Sequence, residues 1–298
     1  MDDNIMTVVD PEAEVFLEKI IRGEIESFSE EDESFLLAHK DFFSQHILLM
    51  LVEEIEDLLD GELFDGEMLH WCLRVAAFLE DFQAFRYAKK ICYVPAETID
   101  DVLGWDFILK ELSYILAATA HNRWEQLKDI VEDPNLNEFI REGCLDALVI
   151  MGTTGRLKRE EVIQYLHHLF NLLIKEELDD QALANCLVSA CIDFWPGECL
   201  EEIKELLGLE LVDSDWFDIE AVLKAFEKGQ EACIKQIKDN FASKHSLKQI
   251  SISEEDSEED LEWEEYLEDF EEINPHFDEV GRNDPCPCTS GKNIRNVV

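Results

Sequence analysis

Leu73, Leu109, Leu145, Leu187 and Leu223 stand 36, 36, 42 and 36 residues apart, and their neighbours keep the same apolar character. The residue before each is Cys72, Ile108, Cys144, Cys186 or Val222. The third residue after each is Ala76, Leu112, Leu148, Ala190 or Phe226. Each copy therefore carries a one-sided apolar stripe that a lone helix leaves wet and a stack of helices buries. Only 7 prolines and 12 glycines occur in 298 residues, too few for a turn-rich sandwich or barrel, so the stripes read as helices.

Second helices are expected near Phe82–Ile91, Asn122–Val131, Arg159–Lys175, Glu198–Leu207 and Gly229–Asn240. Pro95, Pro134 and Pro196-Gly197 punctuate the pairs, because proline cannot donate to a helix ladder. Asp179 reads as an N-cap, and Thr153-Thr154-Gly155 as the turn closing a helix near Met151. Period and apolar register over about Glu67 to Asn240 resemble HEAT-type repeats. The resemblance implies an all-α, helical-pair solenoid with a curved surface suited to binding proteins. Pro11–Leu59 is also helical in pattern, giving an expected organisation of an N-terminal helical cap at 1–66 and repeats at 67–243. An acidic linker at 244–280, disordered or weakly helical, and a short motif at 281–298 complete the expected organisation.

Seventy acidic residues against 25 basic ones give a formal net charge of −45, which repels nucleic-acid phosphates and anionic lipid surfaces and suits a basic protein partner. No basic, apolar leader opens the chain and no 18-residue uncharged apolar run follows. A cytoplasmic protein is expected, with signal-independent export still compatible. The nine cysteines are odd in number. Cys72, Cys144, Cys186 and Cys191 occupy apolar helical positions, where the thiol acts as a small hydrophobe, so reduced cysteines are expected.

Between Glu254 and Glu272, thirteen of nineteen residues are acidic. Trp263, Tyr266, Leu267 and Phe270 recur there at three- and four-residue steps, so a helix would carry one aromatic stripe on an acidic cylinder. These four residues are the partner-binding candidates. Two seats suit them: a basic, apolar-floored groove of another protein, or the chain's own helical end, where Lys235, Lys238, Lys244 and Lys248 supply charge.

The run Gly281-Arg-Asn-Asp-Pro-Cys-Pro-Cys-Thr-Ser-Gly-Lys is similar to the SEC-C motif, found at the C-terminus of the motor ATPase of bacterial preprotein translocation. In that family Cys-x-Cys is followed eight residues later by Cys-Cys or Cys-His, and the four side chains hold zinc. Cys286 and Cys288 match the first pair, but the second falls on Val297 and Val298, which offer no lone pair. The metal site is incomplete, no cofactor is expected, and zinc would need ligands from outside the motif. An acidic helical body with this motif also resembles a bacterial family of unknown function, carried by the runs Ile140-Arg-Glu-Gly-Cys-Leu-Asp-Ala-Leu-Val-Ile and Leu187-Val-Ser-Ala-Cys-Ile-Asp.

Other constellations fail on chemistry. Glu56 to Glu67 imitates a calcium loop, yet Leu58 and Phe64 stand where oxygen is needed. His167-His168 points its two rings to different sides of a helix. Cys186, Cys191 and Cys199 lack metal-ligand spacing, and no nucleophile elbow, phosphate loop or dinucleotide fingerprint occurs. The expected function is a non-catalytic protein-binding scaffold or adaptor. The rivals are a bacterial secreted effector or chaperone-like secretion factor, and an enzyme whose dispersed residues meet in the concave face.

Overall fold

The computed structural model describes residues 10–249 except 23, 26, 62–65, 176–178, 214–216 and 218. Among the described residues the chain is all-α, with fourteen α-helices and no strand. The helices are α1 (Pro11–Ile21), α2 (Glu30–Ala38), α3 (Lys40–Asp60), α4 (Glu67–Phe78), α5 (Phe85–Ile91), α6 (Ala96–Leu103) and α7 (Leu112–Thr119). They continue as α8 (Glu125–Val131), α9 (Glu138–Thr154), α10 (Arg159–Lys175), α11 (Gln181–Phe194), α12 (Leu200–Gly208), α13 (Ile219–Lys228) and α14 (Gln230–His245).

Local chemistry sets most of the boundaries. Ser29 and Asp32 form a reciprocal capping box on α2, with the Asp32 amide donating to Ser29 Oγ over 3.2 Å and the Ser29 amide donating to Asp32 Oδ2 over 2.8 Å. Asn137 caps α9 by accepting from the Phe139 amide at 3.0 Å, and the helix stops at Gly155, whose φ of 80° is the left-handed turn that glycine adopts without penalty. Gly66 is needed for a different reason. A Cβ there would sit 2.4 Å from the Val102 carbonyl oxygen, so only glycine lets the start of α4 approach the end of α6.

The first helices α3, α4, α7, α9, α11 and α13 form a row, each packed on the next. Second helices α5, α8 and α10 pack on the first helix that follows them, respectively α7, α9 and α11. The apolar stripes meet along this row, where Leu73, Leu145 and Leu187 are wholly buried. Phe16, Phe35 and Phe43 join the N-terminal helices, with ring centroids 4.9 Å and 5.9 Å from Phe16 to the other two.

Three expectations need correction. Leu109 is 47% exposed, because one turn of π-helix at Phe107–Glu111 inserts an extra residue per turn, holding Ile108 and Leu112 inward and swinging Leu109 out. Leu223 and Phe226 are each 39% exposed: α14 packs on α9 and α11 as well as on α13, and this face of α13 stays open among the described residues. The cap of α11 is Asp180, not Asp179: its Oδ1 accepts from the Leu183 amide at 2.9 Å. All seven described cysteines are free and buried. No single helix among the described residues is long and apolar enough to cross a membrane.

Candidate interaction surface

α14 lies across the row of first helices, packed on α9 and α11. Its one strongly apolar anchor is Phe241, whose ring lies 5.2 Å from Tyr114 of α7 and beneath the Arg156 guanidinium at 4.5 Å. The far end is fastened by polar contacts. Tyr114 Oη and His245 Nδ1 are 3.1 Å apart, and Arg74 of α4 donates from Nη2 to the Ser246 carbonyl at 3.2 Å. Glu33 of α2 accepts from both the Ser246 hydroxyl and the Leu247 amide at 2.7 Å. Lys248 pairs with Glu30 at 2.6 Å, and the Lys244 ammonium donates to the Lys110 carbonyl.

Beneath this helix the row is acidic. Glu111 of α7 is paired with the buried Arg74 at 2.6 Å. Glu142 and Asp146 stand one turn apart on α9, half-buried, and Asp193 of α11 lies at the exposed rim. Burial lifts the carboxyl of Asp146 well above the ordinary range, and the charges of Glu142 and Asp193 lift it further against the pull of Lys244. Glu142 is raised by burial and by Asp193 and Glu138, against a hydrogen bond to Ser189, and Asp193 is raised by burial and lowered by Lys228. Lys244 is itself pushed down, chiefly by burial. The seat of α14 therefore holds more carboxyl groups than its occupant has cations to pair with them, and their crowding and burial disfavour the ionised form.

A second surface lies at the end of the row. Ile219, Leu223 and Phe226 line one face of α13 at helical spacing and are 38%, 39% and 39% exposed. Trp195 extends this stripe, its ring stacked on Phe226 at 5.7 Å and its Nε1 donating to the Phe226 carbonyl at 3.2 Å. An open cleft of about 650 Å³ between the α7–α8 and α9–α10 connections is lined by His121, Trp124, Arg156, Lys158 and Arg159. Its cations are largely committed, Arg156 to Glu80 and Arg159 to Glu198 at 2.6 Å.

The sequence-predicted site residues Trp263, Tyr266, Leu267, Phe270, Cys286 and Cys288 all lie outside the described residues. Of the four lysines expected to receive the acidic stripe, Lys235 pairs with Asp239, Lys244 and Lys248 are engaged as above, and Lys238 meets no carboxylate among the described residues. In the C-terminal motif Cys286 and Cys288 supply two of the four ligands that a tetrahedral zinc site takes, and Val297 and Val298 stand at the other two positions. Among the described residues no group of three or more His, Cys, Asp or Glu side chains is placed to hold a metal. His167 and His168 instead face separate glutamates, Glu202 at 2.9 Å and Glu132 at 3.9 Å.

A sequence profile described as a protein of unknown function, DUF1186, matches residues 21–266, the described helices from the end of α1 onward and a stretch beyond Gln249. The chain belongs to the DUF1186 family. An uncharacterized protein of Chlamydia trachomatis serovar D is 20% identical over 194 residues, covering 64% of this chain and 74% of the relative. No solved structure matches. The DUF1186 region includes the whole seat of α14 and reaches Trp263 and Tyr266, so two of the four partner-binding candidates fall inside the family boundary. Sequence reasoning missed Arg74, Glu111, Tyr114, Glu142, Asp146 and His245 as a group. The available signal was charge breaking into otherwise apolar first-helix stripes at Arg74 and Asp146.

Proposed function

We propose that this chain is a non-catalytic protein-binding module whose helical surface engages a protein partner, with the acidic stretch around Trp263, Tyr266, Leu267 and Phe270 adding a second contact. The observation that supports this most directly is the exposed stripe of Ile219, Leu223 and Phe226, continued by the half-buried Trp195, at the end of the row. Helical arrays close their last apolar face with a polar cap when nothing further binds there, and α13 carries no such cap among the described residues. The high negative charge favours a partner with a basic rim around an apolar centre.

A photo-crosslinking residue at position 223, compared with one at the exposed helical position Glu97, tests the reading in cells that encode the protein. A discrete crosslinked protein at 223, lost when Phe226→Glu is added and absent at 97, supports it. Equal labelling at both positions, with the helical signal and melting intact, removes the stripe as a binding surface.

A further inference from the structure

The seat of α14 has a shape and a charge that its present occupant only partly uses. We propose that this seat is a docking site for a lysine- or arginine-rich amphipathic helix of a partner protein, and that α14 is the chain's own competitor for it. The inference concerns a surface separate from the α13 stripe and does not require that stripe to bind anything.

The first support is how shallowly α14 fills its place. Only Cys233 and Phe241 are buried among its sixteen residues, whereas α11 beneath it buries eight of fourteen. Apolar burial is what holds a helix onto a protein surface, so a helix with two buried side chains is held mainly by what surrounds it. Those surroundings are the wholly buried Leu247 just past its end and the polar contacts of that end with Glu30, Glu33, Arg74 and Tyr114. Polar contacts of that kind exchange readily with water and are replaceable by a competitor. At the other end Gly229, at φ 84°, joins α14 to α13 in a backbone conformation that leaves a ready pivot.

The second support is electrostatic complementarity. Glu111, Glu142, Asp146 and Asp193 succeed one another along α7, α9 and α11, and Arg74 answers only the first. Against the other three, α14 brings Lys244, whose ammonium is already given to the Lys110 carbonyl, and α13 brings Lys228, which is given to Gln236. Glu142 is answered by the Ser189 hydroxyl rather than by a cation. A helix presenting two or three cations on the face it buries would turn these carboxylates into charge-assisted pairs, an interaction α14 cannot make. The seat already accepts a helix lying over α9 and α11, so the partner needs no new groove, only better chemistry on the buried face. Displacement then follows from differential affinity: the partner gains the seat when its pairs outweigh the contacts of α14.

The probe is an 18-residue amphipathic peptide of leucine and lysine, with a control in which glutamate replaces lysine, added to the full-length protein at 0.15 M salt. Binding is read by fluorescence anisotropy, and displacement by mass-mapped alkylation of Cys233, which lies on the buried face of α14 at rest. The expected result is that the lysine peptide binds and raises alkylation at Cys233 at least tenfold, while Cys72 and Cys144 stay protected and the glutamate peptide does neither. Changing Glu142→Gln, Asp146→Asn and Asp193→Asn together keeps side-chain volume, and it should lower lysine-peptide affinity at least tenfold while the melting temperature is kept or raised. Equal affinity for this triple variant would overturn the proposal, because the overall charge of −45 would then be doing the binding. Binding without any change at Cys233 would overturn it too. If Phe226→Glu abolishes binding while the triple variant does not, the peptide sits on α13, and this proposal fails while the α13 reading stands.

Discussion

Arg141 and Asp180 offer a sharp test of what holds the row together. The Arg141 side chain, 2% exposed, donates from Nη1 and Nη2 to the two carboxylate oxygens of Asp180 at 3.2 Å and 2.7 Å, and from Nε to the Val131 carbonyl at 2.9 Å. It thus ties α9 both to the end of α8 and to the cap of α11. Replacing Asp180 by Ala removes the carboxylate paired with a buried guanidinium and also removes the cap on the Leu183 amide. Losing one partner of a buried pair costs about 3–5 kcal/mol and losing the cap about 1, so the variant should lose about 4–6 kcal/mol in all. Asn caps as well as Asp, so Asp180→Asn should recover about 1 kcal/mol of that. Arg141→Met combined with Asp180→Ala should be markedly milder than the two single losses added, since no orphaned charge remains. Burial alone would raise the Asp180 carboxyl, but Arg141 and the Leu183 amide outweigh it and hold it below the ordinary 3.8. A depressed carboxyl stabilises the fold fully above 3.8, and the contribution is lost as pH falls through the lower folded value. The gap between wild type and Asp180→Ala should therefore be constant near neutrality and narrow only at pH below 3.8. Urea unfolding followed by circular dichroism measures all of this. An Asp180→Ala variant within 1 kcal/mol of wild type, or a strictly additive double variant, would refute the reasoning.

Leu145→Ala, at a wholly buried site in α9, should cost about 2–5 kcal/mol in the same unfolding assay, whereas Leu109→Ala, at 47% exposure beyond the π-helical turn, should stay within about 0.5. Equal losses at the two sites would mean that the π turn does not rotate Leu109 outward. Metal analysis of protein purified without chelator should find well under one zinc per chain, and Val297→Cys with Val298→Cys should raise it toward one. Stoichiometric zinc in the unaltered chain that disappears with Cys286→Ser would show that ligands outside the motif complete the site.

The parts of the fold visible in sequence are those set by short-range chemistry. α10 falls on Arg159–Lys175 as its apolar period predicts, because Glu160 and Glu161 favour the helix start and no breaker interrupts it. α6 was hidden because Pro95 reads as a breaker, although a proline just before a first helical turn also starts one, as it does here at Ala96. The π turn at Phe107–Glu111 leaves no trace in composition, since Phe-Ile-Leu-Lys-Glu is an ordinary helical string and the extra residue appears only in the packed helix.

The interaction surface is less legible in sequence because residues close along the chain need not be close in space. Lys235, Lys238, Lys244 and Lys248 look like one basic patch when written in a line. On a helix of 3.6 residues per turn, the nine positions from Lys235 to Lys244 amount to two and a half turns, so the two ammonium groups leave the axis in roughly opposite directions. Lys235 accordingly stays on the solvent side with Asp239, Lys244 turns down toward the row beside Asp146 and Glu111, and Lys248 lies past the end of the helix against Glu30. That arithmetic could have been done on the sequence. What it could not supply is the floor that Lys244 meets, because Glu111, Asp146 and Asp193 come from three helices brought side by side only when the leucine stripes of α7, α9 and α11 close on one another. The charge beneath α14 is thus a property of the packed row and not of any one segment.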